Sequence, residues 1–486
     1  MQIDLVPEPA LLFGSGRAWM DPKTGLLAHG PNRAASDASV GSWIRAGAIG
    51  THSSVGTLKE FLKRLRRRIG VPHEMRTNPW KVDFPGLGVE GRLGFDFELT
   101  EDRIQHIPQS EETEIIALSD RKQRVARSLI LYSEKTDLLF GGAHPAPQIV
   151  FLPISSDLLG ACKDPTAVGD RIIYTRRSLG QAAEQEGVPL FDFHNAIKVL
   201  GFKHNASTQL LLPRTLQLSA GPQDPATLAW NFAVANYYKA TGTPWKLADL
   251  DSGTCYVGIS FYSEVYGAET NMRTSMAHVY MRTGESQIIR GKPFRWEGES
   301  NKSPILTSEQ ASEILTEVVD VYASQWDGRR PSRLVVHKSS PYEDAEIAGF
   351  MKAATGVDVL DLVHIYGGSS LRLYPVGTGY PPRRGTLFSR DGGTTGYLYT
   401  TGFIPAISTY PGSTVPFPLR FRLAKCKSDI RQIAGDLMAL TKLDWNNTDF
   451  CIRKPVTLAV SEKVGNILAE PSARETTPPM GYKFYM

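Results

Sequence analysis

The sequence predicts an α/β protein, and three observations carry that expectation. Residues 148–154 (QIVFLPI) form a continuous apolar run, as expected for a strand buried on both faces of a parallel sheet. From Gly253 onward the order reads three strands, a helix, a strand and a helix. With 486 residues, 41% of them apolar, the chain is long enough for two or three domains with substantial cores.

Residues 1 to about 145 read as a loop-rich N-terminal segment, with glycine and proline in DPKTG (21–25) and at Gly30 and Pro31. Inside it, residues 57–69 place Leu58, Phe61, Leu62, Leu65 and Ile69 on one helical face, stopped by Gly70. The other face carries Lys63, Arg64, Arg66, Arg67 and Arg68, a solvated surface or a phosphate contact. From 146 to 250, the strand at 148–154, a helix at about 168–187, a short strand at 188–191 and a helix ending at Lys239 alternate as in a Rossmann-like unit. Gly242 lies just beyond that helix as its stop. From 251 to 486, CYVGISFY, AHVYMRTG and QIIRGKPFRW read as strands. A helix opened by a Thr307–Gln310 capping box follows, then the strand RLVVHKS and an acidic helix from Tyr342.

Composition excludes several classes. Lys plus Arg (54) exceed Asp plus Glu (50) by only four, so net charge alone marks no nucleic-acid binder. Cys162, Cys255, Cys426 and Cys451 lie far apart with no CxxC pair, which predicts free thiols in a reducing cytosol, not a zinc site. The start MQIDLVPEPALLFG lacks a secretory pattern, and no apolar run approaches the roughly 20 residues a membrane span needs, so a cytoplasmic location is expected.

One constellation carries chemistry by itself. His194 and Lys198 are four residues apart and share a helix face; Gln209 sits on the next strand and Lys239 at the end of the following long helix. Two or three cations and an amide converging from separate elements would hold a terminal phosphate: charge offsets charge, and the amide and imidazole orient it. Singly, each residue also suits a structural role, as a lysine does at a helix C-terminus.

HNAIKVLGFKHNASTQLLLPRTL followed by NYYKATGTPWKL resembles the MID domain of prokaryotic Argonautes. The resemblance implies that His194, Lys198, Gln209 and Lys239 bind the 5′-phosphate of a guide, with histidine where tyrosine is usual. Residues 251–486 resemble a PIWI domain, with its RNase H-like fold, through CYVGISFY, RLVVHKSS, LTKLDWNNT and KPVTLAVSEKVGNIL. In that family carboxylates hold two divalent cations for target cleavage. Here the corresponding positions are Ser260, Ser339 and Glu462, and neutral hydroxyls are poor ligands for Mg²⁺. Rescue would need Glu264 and Glu285 both to swing in. The resemblance further implies that the C-terminal carboxylate, that of Met486, helps hold Mg²⁺ against the guide phosphate.

LLFGSGRAWMDPKTGLLAHGPN, then IRAGAIGT, resembles the opening of short prokaryotic Argonautes, which lack N and PAZ domains. The expected protein is therefore a catalytically inactive, guide-loaded sensor. It would carry a guide RNA, pair with single-stranded target DNA and activate an APAZ-containing effector. For that effector a sirtuin-like, NAD-degrading domain is favoured, with TIR or nuclease domains as other options. The rivals are an active guide-directed nuclease, opposed by Ser260 and Ser339, and a guide-free single-strand binder, which would need no terminal-phosphate site.

Overall fold

The computed structural model describes residues 2–32, 43–88, 93–142, 145–163, 193–219, 223–249, 253–266, 269–274, 277–280, 286–294, 304–374, 381–412, 414–468, 470–474 and 476–486. The helix expected at 168–187 and the strand at 188–191 lie outside these residues.

Two sheets organise the chain. Among the described residues the first has four parallel strands in the order Asp96–His106, Trp43–Gly50, Ile149–Pro153, Ser207–Leu211. The apolar Ile149–Pro153 strand is buried along its whole length, as its composition requires. The helices His52–Leu65 and Pro225–Ala240 cover one face, where Phe232 meets Phe61, Phe97 and Phe151 at 4.9, 5.7 and 5.5 Å between ring centroids. Arg121–Gly142, Ser156–Cys162 and Phe193–Leu200 cover the other through Leu129, Tyr132, Leu158, Phe193 and Ile197.

Composition hides two of these strands within the first 145 residues. Trp43–Gly50 (WIRAGAIG) is rich in small residues, and Asp96–His106 (DFELTEDRIQH) is polar, so neither shows a strand pattern. Both nevertheless pair in the first sheet, so this segment builds the unit as well as packing on it. The basic helix also differs from its expected span: it runs His52–Leu65, with the Thr51 side chain capping Ser54 N–H, and Arg66–Ile69 lie beyond it. Tertiary contacts set that end, because Leu87 N–H donates to the Leu65 carbonyl (2.8 Å) and Ile69 pairs with Phe84.

The second sheet has nine strands among the described residues. Their order is Gln2–Leu5, Thr386–Arg390, Thr395–Leu398, Leu419–Lys425, Val359–Ile365, Arg333–Lys338, Thr254–Ile259, Ala277–Tyr280, Ser286–Ile289. Arg333–Lys338 runs parallel to both its neighbours, and the other pairings are antiparallel. Helices Ser308–Ser324 and Asp344–Ala353 pack on one face, the first opened by the expected Thr307–Gln310 capping box. Ile430–Leu440 and Val456–Leu468 pack in the larger core that also includes Val335 and Val363. The last helix approaches so closely that a Cβ on Gly258 would fall 2.0 Å from the Thr457 carbonyl oxygen, so only glycine fits there.

CYVGISFY is two strands, not one. Thr254–Ile259 belongs to the large sheet; after Ser260 the chain enters Phe261–Tyr266, which pairs with Glu269–Thr274 in a separate three-stranded sheet. The N-terminal segment is tied to the second sheet as well. Gln2–Leu5 pairs with Thr386–Arg390, and Glu8 accepts from Arg384 (2.8 Å) and Lys442 (3.0 Å). No helix among the described residues is long and apolar enough to cross a membrane. The four cysteines are free thiols.

Candidate nucleic-acid interface

The Phe193–Leu200 helix buries Phe193, Ala196, Ile197 and Val199 against the first sheet. That leaves His194 exposed and Lys198 half-buried, one turn apart on the other face. Ser207–Leu211, the last strand of this sheet among the described residues, lies beside it, and Thr208 Oγ1 donates to the Ile197 carbonyl at 3.2 Å. Gln209 sits at the middle of this strand. The Pro225–Ala240 helix, capped at its start by Asp224, carries Lys239 in its last turn.

Lys239 is 3% exposed. Its ammonium donates to the Thr208 carbonyl (3.0 Å) and to Gln209 Oε1 (2.7 Å). Both partners are neutral, and among the described residues no side-chain carboxylate pairs with it. Burial drives its pKa well below the ordinary lysine value, and the charge of Lys198 lowers it further.

The chain's last residues close this cluster. Lys198 Nζ donates to the Tyr485 carbonyl (3.2 Å), and Ser207 Oγ donates to the carbonyls of Lys239 (3.1 Å) and Lys483 (3.3 Å). Tyr485 packs on Phe202 at 5.0 Å, Tyr482 faces Tyr238 at 6.0 Å, and Met486 is only 6% exposed. The structure therefore brings Lys198, Gln209, Lys239 and the residue before Met486 together, with His194 one helical turn away at the surface. The hydroxyl of Ser207 and the carbonyls of Thr208 and Tyr485 take part without any sequence signal, since backbone oxygens belong to every residue type. The oxygens gathered here are hard donors of the class Mg²⁺ accepts.

In the second sheet, Ser260 and Ser339 leave neighbouring parallel strands at the same end, because Ile259 pairs with Lys338 in register. Ser260 is buried and Ser339 exposed. Beneath them, Lys338 and Glu346 form a fully buried ion pair, with Leu306 N–H donating to the same carboxylate at 2.8 Å. His337, also buried, exchanges a hydrogen bond with Thr457 Oγ1 (2.9 Å), and burial pulls its pKa down to about 3. Glu462 lies on the Val456–Leu468 helix, and its side chain is outside the described residues, as is that of Glu264; Glu285 is outside them entirely. Among the described residues no group of three or more His, Cys, Asp or Glu is placed to hold a metal ion.

A parallel α/β unit followed by a large mixed sheet built around a parallel trio of strands is the MID–PIWI arrangement, and solved structures that share it are Argonaute proteins. Clostridium butyricum Argonaute, bound to a guide DNA (5′ deoxycytidine) and a 19-mer target DNA, matches with a TM-score of 0.62 and 13% identity, over 96% of this chain and 53% of that one. Aquifex aeolicus Argonaute matches with a TM-score of 0.57 and 15% identity, over 98% and 54%. Drosophila Piwi matches with a TM-score of 0.60 and 12% identity, over 100% and 56%. This chain thus spans about half the length of the solved structures it matches. No protein-family model and no curated protein matches it, so the likeness is one of fold.

Proposed function

We propose that this chain is a guide-loaded nucleic-acid sensor of the short Argonaute type. It binds the 5′-phosphate of a guide, RNA by the family resemblance, at His194, Lys198, Gln209 and Lys239. It then pairs that guide with a complementary single-stranded DNA target without cutting it. The observation that carries the reading is the buried Lys239 ammonium, which among the described residues is held by two neutral oxygens and set beside a second lysine. A phosphate there offsets both charges and accepts charge-assisted hydrogen bonds. Sequence is then read by base pairing, as in other guided systems.

Met486, through its α-carboxylate, would hold Mg²⁺ together with the guide phosphate. The ion supplies charge neutralisation between the two anions. Retention of an intact target follows from Ser260 and Ser339, whose hydroxyls replace metal-holding carboxylates. Activation of an APAZ-containing partner, with a sirtuin-like, NAD-degrading effector favoured, is supported by the sequence resemblance alone.

The test is guide binding at one fixed salt concentration, followed by incubation with target and Mg²⁺ or Mn²⁺. A 5′-phosphate guide is expected to bind more tightly than its 5′-hydroxyl twin. Lys198→Ala removes a charge-assisted contact worth roughly 1.5–3 kcal/mol, so loading weakens by about tenfold or more. Equal affinity for the two guide ends overturns the pocket; a single product cut opposite a fixed guide position overturns the non-cleaving reading.

A further inference from the structure

The cationic end of the His52–Leu65 helix is not used by the guide-end pocket. Leu58, Phe61, Leu62 and Leu65 dock that helix on the first sheet, so Lys63 and Arg64 face outward, and Arg66, Arg67 and Arg68 just beyond its end are exposed as well. Two of the five are neutralised within the chain, Arg66 by Asp96 at 2.6 Å and Arg68 by Asp83. The other three have no close carboxylate partner among the described residues. Lys63 lies 3.8 Å from Glu60 in a solvated pair, and Arg64 donates to the Gln217 carbonyl (3.3 Å). Arg67 has no acidic partner among the described residues. These three line one open groove of about 410 Å³ together with Thr57, Glu60, Phe61 and Leu216 of the Pro213–Leu216 helix, three cations against one carboxylate.

A second observation comes from the neighbouring strand end. Trp43 is 53% exposed, and the Arg66 guanidinium lies 5.7 Å from its ring centroid. An indole this open beside a basic groove is what single-strand binders use, since every base has a face to stack and every nucleotide a phosphate. An acidic peptide would engage the cations but has no use for the ring.

We propose that this corner is a second nucleic-acid contact, in which a single-stranded segment stacks a base on Trp43 and lays its phosphates along Lys63, Arg64 and Arg67. The inference extends the reading that the chain binds nucleic acid, but it concerns the strand's backbone and bases, not its 5′ end.

The experiment is fluorescence anisotropy with matched 5′-phosphate and 5′-hydroxyl single strands across a salt series, with circular dichroism to confirm folding. The triple variant Lys63→Ala/Arg64→Ala/Arg67→Ala is expected to weaken both strands alike. Its salt slope should flatten by about 2, at about 0.7 for each lost phosphate contact. Trp43→Ala should cost about fivefold or more for both strands, while Trp43→Phe keeps most of the affinity. In all three variants the 5′-phosphate preference persists; in Lys198→Ala it is the preference that falls. A folded triple variant with unchanged affinity and slope overturns this contact and leaves the 5′ pocket standing. Equal binding of both strands by the wild type, with loss of both in the triple variant, overturns the pocket and leaves this contact standing. Displacement of the strand by hexaglutamate as readily as by an oligonucleotide of equal charge overturns it in favour of an acidic protein partner.

Discussion

In the second α/β unit Lys338 and Glu346 are both wholly buried and face one another, and Arg333 lies between Asp361 (3.0 Å) and Asp436 (2.7 Å). Arg384 and Lys442, equally inaccessible, share Glu8. In the first unit Lys239 is almost as buried, yet its partners are a carbonyl and an amide oxygen, and another ammonium stands near. Lys338, Arg333, Arg384 and Lys442 each meet a carboxylate of the same chain. Lys239, whose hydrogen bonds among the described residues go to neutral oxygens, sits where a ligand's charge can do that work. Burial alone does not separate the two kinds of site; the sign of the neighbours does.

The largest expected effect breaks or keeps this contrast directly. Glu346→Gln strands the Lys338 ammonium in the core and should cost about 3–5 kcal/mol. Lys239→Met removes a buried charge that no side-chain carboxylate among the described residues pairs with, so stability should stay within about 1 kcal/mol or rise while 5′-phosphate binding is lost. Urea unfolding of the two variants side by side checks both, and equal destabilisation would erase the distinction.

A smaller effect concerns pH. Lys239 is held below its ordinary pKa in the free protein, and a bound phosphate raises it, so binding takes up a proton. Affinity for 5′-phosphate strands is therefore full below the free-state pKa. It falls as pH rises from that value to the bound-state one, by up to about tenfold per unit. The phosphate is already doubly charged above pH 7, so a titration from there upward isolates the lysine. Affinity that stays flat or rises across that range would remove Lys239 from the phosphate site.

Smallest of all is Met486→Leu, which conserves volume in the packed end and should shift stability by less than about 1.5 kcal/mol with guide affinity nearly unchanged. Residues appended after Met486 move the α-carboxylate instead. They should blunt the Mg²⁺ dependence of loading; unchanged dependence would leave the end of the chain as packing only.

The sequence was most legible where local chemistry and tertiary position agree. QIVFLPI reads as a doubly buried strand and is one; Thr307 and Gln310 read as a capping box and make both of its hydrogen bonds, at 3.3 and 2.9 Å. The convergence of Lys198, Gln209 and Lys239 was legible only as a set, because each residue alone suits an ordinary role. Illegible were the elements that distant partners define. WIRAGAIG is a strand because Asp96–His106 and Ile149–Pro153 flank it, and Ser260 ends one because the next residues join another sheet. The pairing of Lys198 with a carbonyl 287 positions away has no local signature at all.

The clasp at Glu8 has a consequence for the order of events in folding. Its partners Arg384 and Lys442 lie 376 and 434 positions further along, and Gln2–Leu5 must find Thr386–Arg390 across a similar gap. During synthesis the opening strand emerges long before its neighbour exists, and it carries the apolar side chains Ile3 and Leu5 with no edge to join. Closures over such spans are slow, and a waiting strand is a template for other chains. Refolding from denaturant is accordingly expected to lose material in proportion to protein concentration until this late latch is set.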